Sequence, residues 1–274
     1  MIRLAIAVAS ADASPAAFVV WRGFEASFAK AAAMGYDGVE LALREAGEVD
    51  AACLRRLKEL RLSCPCISTG QVFATLGLYF TAADADRRAK VTRVFEGLID
   101  LAAQLGAMVN VGRARGFIEP GQPADEARRR FIEIAAHLAR HARPKGVKLV
   151  LEPVNRYEIN FINSLAEGAE LIEAVGEPNL ALMPDVFHMN IEDPTIGGEL
   201  RRFARHVAYV HMADSNRLAP GQGHIDFDDL FAALRGMRYD GWASVEILPR
   251  PDPDTAARQA IEFLKPRMEA YNRA

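Results

Sequence analysis

Three features of the sequence predict an α/β protein built as a single (β/α)8 barrel. Eight short apolar runs alternate with amphipathic stretches of helical length, the pattern of parallel strands buried on both faces and covered by helices. The 274 residues fit the roughly 250 typical of one such barrel. No low-complexity linker or shift of composition interrupts the chain, so residues 1–274 are expected to form one domain. The rival, an open doubly wound sheet, would carry a Gly-rich turn after its first strand, and none follows residue 9.

The runs are residues 4–9, 38–43, 64–68, 107–111, 148–152, 180–185, 207–211 and 242–248. The first lies in "MIRLAIAVASADAS", a faint imitation of a secretory leader whose apolar stretch is short for that role, and is read as a buried strand. Between the runs, Val91, Val94, Phe95, Leu98, Leu101, Ala102 and Leu105 make one apolar stripe at helical spacing. Phe131, Ile134, Ala135 and Leu138 make another, and Ala257, Ile261 and Leu264 a third. Half the residues are apolar, yet no run reaches the ~18 residues of a membrane span. Cys53, Cys64 and Cys66 are too few and odd in number for a disulfide framework, which points to a reducing cytoplasm. Cys64 and Cys66 are expected to pack on their strand, with Cys66 at most reaching a substrate. A net charge of −3 offers no footprint for nucleic acid.

In such barrels the chemistry sits where the strands end. Glu152 closes "KLVLE", Asp185 closes "LALMPD", His211 closes "VAYVH", and Glu246 stands near the end of "WASVEIL". Their spacings of 33, 26 and 35 residues (152 to 185 to 211 to 246) are each about one β/α unit, so four consecutive strands present one such group each to the same mouth. Each residue alone has an ordinary explanation as a rim charge, a helix cap or a structural histidine. Together, like charges so crowded repel unless a cation compensates them. Three carboxylates and one imidazole suit one divalent ion, Mn²⁺ or Mg²⁺ first, with Co²⁺ and Zn²⁺ also compatible.

Glu158, His188 and Arg217 follow these strands at short offsets and would supply directional contacts to a polar ligand. The "GQG" at 221–223 is read as a turn before a helix starting at Asp226, not as a phosphate cradle. Asp252 and Asp254 follow the eighth run, where barrels often hold phosphate, and would repel one. Arg113 and Arg115 in "NVGRARG" follow the fourth run; one of them, Arg113 by preference, is expected to bind a carboxylate, the alternative being surface pairing with acids such as Glu119.

"LEPVNRYE" (151–158), "DVFHMNIED" (185–193), "HMADSNRLAPGQGHIDF" (211–227) and "SVEIL" (244–248) together resemble the ketose 3-epimerase group, which includes D-tagatose and D-psicose 3-epimerases, within the xylose-isomerase-like TIM barrels. "STGQVFATLG" (68–77) and "VGRARG" (111–116) are similar in particular to 5-keto-L-gluconate epimerases. The resemblance implies a metal held by Glu152, Asp185, His211 and Glu246, with Glu152 and Glu246 also serving as the acid/base pair. It further implies a sugar or sugar acid held by Glu158, His188 and Arg217, and a homodimer or homotetramer.

The chemistry agrees with that implication. Inverting a carbon beside a ketone means taking a proton from one face and returning one to the other, so two carboxylates flanking a planar enediolate suffice. A one-base aldose–ketose isomerase would use the same metal. An apurinic endonuclease would need more zinc ligands and a basic surface, and a non-catalytic sugar binder would need no opposed carboxylates.

Overall fold

The computed structural model describes residues 1–15 and 17–273. Its strands are β1 (Arg3–Ala9), β2 (Trp21–Arg22), β3 (Gly38–Ala42), β4 (Cys66–Ser68), β5 (Met108–Val111), β6 (Leu149–Leu151), β7 (Leu180–Leu182), β8 (Tyr209–Met212) and β9 (Trp242–Val245). Eight of them run in the order β7-β6-β5-β4-β3-β1-β9-β8, while the two-residue β2 pairs with the end of β1. Parallel bridges Leu182↔Val207 and Asp185↔His211 join β7 to β8 and bring the ring to closure. The expected (β/α)8 barrel is thus present.

Several strands stop short of the apolar runs that predict them. Pro184, having no N–H, cannot donate to a ladder, and β7 ends at Leu182. Glu152 and Met183 still bond back through their N–H groups, at 3.2 Å to the Val111 carbonyl and 2.8 Å to the Leu151 carbonyl. The wall therefore continues one or two residues beyond the ladders, and that rim carries the polar groups.

Period-2 alternation sorts each strand into an outer and an inner row. On β1, Leu4, Ile6 and Val8 join the main core between wall and helices. That core also takes in Phe95 and Leu98 of the helix Ala85–Leu105, Phe131 and Leu138 of Ala124–Ala142, and Ile261 and Leu264 of Pro253–Arg273, the three stripes legible in the sequence. Inside the barrel a separate plug holds Ala5, Cys66, Val150, Met183, Tyr209 and Trp242. The inner row of β1 is Ala5, Ala7 and Ala9; these small side chains leave volume for Tyr209 and Trp242 below and for a buried carboxylate, Glu40, above. Among the described residues no helix is long and apolar enough to cross a membrane.

Candidate active site

Glu152, Asp185, His211 and Glu246 do converge: one donor atom from each lies within 4.8 Å of all the others. His211 Nδ1 is 3.3 Å from a Glu152 oxygen, 3.7 Å from Asp185 and 3.6 Å from Glu246. Each residue sits on an inner row, two positions beyond a plug residue (Val150, Met183, Tyr209) or, for Glu246, beyond Ser244. Asp185 also caps the helix Val186–Glu192, accepting from the Phe187 N–H at 2.9 Å, so its ordinary explanation as a cap and its place in the cluster are both real.

Glu40, which sequence reasoning missed, completes the arrangement. It lies on β3, fully buried, with both oxygens 3.0 Å from His211 Nε2. A lone carboxylate in the apolar run 38–43 was the available signal, since a buried charge needs a partner. Asn110 of β5 was missed as well; its amide donates to Glu152 at 2.9 Å. Gly112 allows this approach, because a Cβ there would lie 2.7 Å from the Asn110 side-chain oxygen and 3.0 Å from Glu152 Oε2.

Around the cluster, Glu158, His188, Arg217 and Arg113 all line one cavity. His188 is buried, with Nδ1 2.8 Å from the Asn155 amide nitrogen, which also donates to Glu158 at 3.1 Å. That contact assigns the ring proton to Nε2, which lies 4.0 Å from Glu152 and 3.9 Å from Asp185. Arg217 adopts a φ of 61°, uncommon for a non-glycine residue, in a turn wrapped around buried Asp214. Asp214 accepts the N–H groups of Ser215, Gly221 and Ile225 at 2.7, 2.7 and 3.1 Å, so "GQG" is a turn and Asp226 caps the next helix. The Arg217 guanidinium passes between the rings of Phe18 and Phe187 to bond Asp185 at 2.5 Å and Glu246.

The two arginines of "GRARG" part company. Arg115 is fully buried and donates to the carbonyls of Gly112, Glu152, Phe161 and Ile162 at 2.7–3.1 Å, which fixes the backbone that carries Glu152. Arg113 lies over the Phe73 ring, 4.8 Å from its centroid, with its Nε buried and unbonded. Glu119 accepts from the Tyr79 hydroxyl at 2.7 Å and the Ala83 N–H at 3.1 Å instead.

One expectation needs correction. Cys66 does not line the cavity: it belongs to the plug, its thiol directed to the Ile67 carbonyl at 3.7 Å. Ser68, two residues further along the same inner row, takes the cavity position. Asp252 and Asp254 are absent from the cavity lining, so the charge they carry at the start of the helix Pro253–Arg273 stands outside it. Asp254 is paired with Lys30 and the Trp21 indole N–H, both at 2.7 Å, and Asp252 bonds the Thr255 N–H at 2.9 Å at a helix start.

The electrostatics separate the carboxylates. Burial disfavours the charge of Glu152, yet the neighbouring imidazoles of His211, 3.3 Å away, and His188 hold its carboxyl below the ordinary range. Asp185 is held well below its range, Arg217 leading the groups that overcome its burial. Burial, with Glu152 and Asp185 adding to it, pushes Glu246 up to about 8 against Arg217 and His211. Burial also lowers His188, leaving it neutral and able to donate through Nε2. Three carboxylates crowd His211 Nδ1, a buried nitrogen with no hydrogen-bond partner. Such a set could hold a hard divalent cation, and its donors fit one.

Comparison with known proteins agrees with the fold. Residues 28–267 match the family model described as Xylose isomerase-like TIM barrel. The chain is 30% identical over 270 residues to L-ribulose 3-epimerase of Methylomonas sp. (strain DH-1), covering 89% of this chain and 92% of that protein. It is 29% identical to D-psicose 3-epimerase of Agrobacterium fabrum over 221 residues, 79% of this chain and 76% of that one. The crystal structure of D-allulose 3-epimerase from Methylomonas sp. in complex with D-allulose superposes with a TM-score of 0.84 at 29% identity, covering 97% of each chain.

Proposed function

Since the chain belongs to the xylose isomerase-like TIM barrel family and is an enzyme of the epimerase/isomerase class, we propose that it is a metal-dependent epimerase. It inverts the carbon next to the carbonyl of a ketose or keto sugar acid, carbon 3 of a 2-ketose, and residues 1–274 act as one catalytic barrel. The observation that carries this reading is the cluster itself: Glu152 and Glu246 lie beside a buried imidazole nitrogen with no hydrogen-bond partner, at the floor of a cavity lined by sugar-compatible polar groups.

Glu152, Asp185, His211 and Glu246 would hold the cation, Mn²⁺ first among the candidates. When bound, it would supply Lewis-acid polarisation of the carbonyl and offset the negative charge that develops there. Glu152 and Glu246 exchange the proton: one takes it from a face of the carbon, leaving a planar enediolate, and the other returns one to the opposite face. The two carboxylates are held by different partners, Glu152 by the Asn110 amide and Glu246 by the Arg217 guanidinium. His188 donates through Nε2 to a substrate oxygen, oriented by Asn155. Arg217 supplies donors to a substrate oxygen close to the carboxylates it already reaches. Arg113 faces the cavity and, among the described residues, pairs with no carboxylate, which supports a sugar acid among the substrates.

The test is incubation of Mn²⁺-loaded enzyme with ketohexoses and keto-hexonates in D₂O, followed by NMR. The expected result is an epimer carrying one solvent deuterium at the inverted carbon. An aldose product would instead assign the aldose–ketose isomerase reaction.

A further inference from the structure

A neutral imidazole offers one nitrogen as donor and the other as acceptor, and its neighbours decide which is which. Around His211 they pull in opposite directions. Glu152, Asp185 and Glu246 crowd Nδ1, and carboxylates on that side favour a proton there, which would close Nδ1 to any cation. On the other side stands one group, Glu40, with both oxygens 3.0 Å from Nε2. Glu40 and the His211 side chain are both 0% exposed, so bulk water reaches neither. Nδ1 itself makes no hydrogen bond.

We infer that Glu40 is a positioning residue: it holds the ring proton on Nε2 and thereby turns the Nδ1 lone pair toward the three carboxylates, making His211 a ligand instead of a proton store. Its place in the fold suits the task. Glu40 pairs in register with Ala7 on β1, and Ala5 and Ala7 are the small inner-row side chains that leave it room to reach across to β8. A carboxylate at this distance also strengthens the ring's donation to a metal, and loss of such a partner costs about 10- to 100-fold in metal affinity. This inference rests on the metal-dependent reading above and adds to it a residue outside the ligand set.

The experiment measures Mn²⁺ affinity by competition with a chelator in wild type, Glu40→Gln and Glu40→Leu. Long-range ¹H–¹⁵N spectra of the histidines in the Mg²⁺-loaded wild type accompany it. The expected result is a loss of about tenfold or more in affinity for Glu40→Gln, a larger loss for Glu40→Leu, and a wild-type His211 protonated at Nε2 with Nδ1 free of hydrogen. A purely structural Glu40 would leave the ring tautomer unmoved by substitution, so the variants' spectra are recorded as well. Variant affinities within threefold of wild type, or a wild-type ring protonated at Nδ1, overturn the inference and leave the epimerase reading intact. A wild type that takes up no divalent ion overturns both. If these variants do not fold, Glu40→Asp, which keeps the carboxylate but shortens its reach, is read by the same two criteria.

Discussion

Replacing Gly112 with alanine should damage catalysis while leaving the fold populated. The added Cβ would sit 2.7 Å from the Asn110 side-chain oxygen and 3.0 Å from Glu152 Oε2, whereas carbon and its neighbours settle at about 3.5 Å. The two side chains must therefore give way by about 0.5–0.8 Å. They are tied to each other by the 2.9 Å bond from the Asn110 amide to Glu152, so neither moves alone, and the Glu152 carboxylate leaves its position beside His211. A 1 Å misplacement of a reacting group costs about 10²-fold, which sets the expected loss in kcat at roughly 10- to 100-fold. The same crowding, treated as overpacking, costs about 1–3 kcal/mol and leaves the fold populated. The assay is steady-state epimerisation of a ketohexose beside urea unfolding of the same preparation. Wild-type turnover in a folded Gly112→Ala protein would refute the argument that Glu152 needs this position.

Glu246→Gln should lower turnover by at least about 10²-fold, the scale of a lost general acid or base, while a sugar still binds by calorimetry; near-normal turnover would move the role elsewhere. Exhaustive chelation should abolish activity and Mn²⁺ or Co²⁺ restore it, since Arg217 is the one arginine bonded to the cluster carboxylates among the described residues; activity that survives verified metal loss removes metal from the mechanism. Arg113→Ala should raise KM for a keto-hexonate by about tenfold or more, ~1.5–3 kcal/mol for a hydrogen bond to a charged group, and lower the preference for acid over neutral ketose; an unchanged preference denies Arg113 the carboxylate. Asp193 predicts a pH dependence of folding. Burial first, then Glu199, Glu192 and Glu167, push its carboxyl up to about 7 against the Leu165 N–H it accepts at 3.2 Å. A raised carboxyl favours the protonated folded state, so its contribution to stability is full below the ordinary 3.8 and is lost as pH rises to about 7. Asp193→Asn should flatten urea-unfolding stability across that window, and an unaltered slope counts against the assignment.

The alternation of eight apolar runs with amphipathic stripes, and the four polar strand ends spaced one β/α unit apart, are legible in the sequence because both are local. Side-chain direction repeats every two residues along a strand and every 3.6 along a helix, and a parallel barrel brings successive strand ends to one rim. Glu152, Asp185, His211 and Glu246 could therefore be placed together before any coordinates. What meets across the barrel could not. Glu40 and His211 stand 171 residues apart in sequence, and only closure and register put the carboxylate against Nε2. The same holds for depth. Cys66 and Ser68 share an inner row of β4, yet one packs in the plug and the other faces the cavity, a difference set by where neighbouring strands begin. Arg113 and Arg115 look equivalent in "GRARG", and four carbonyls brought from three different segments decide that Arg115 is consumed by the backbone while Arg113 keeps its place at the cavity. Periodicity is a property of the chain, whereas the partner of a buried charge is a property of the closed barrel, because low-dielectric surroundings make the cost of leaving it unpaired depend on every group the fold brings near.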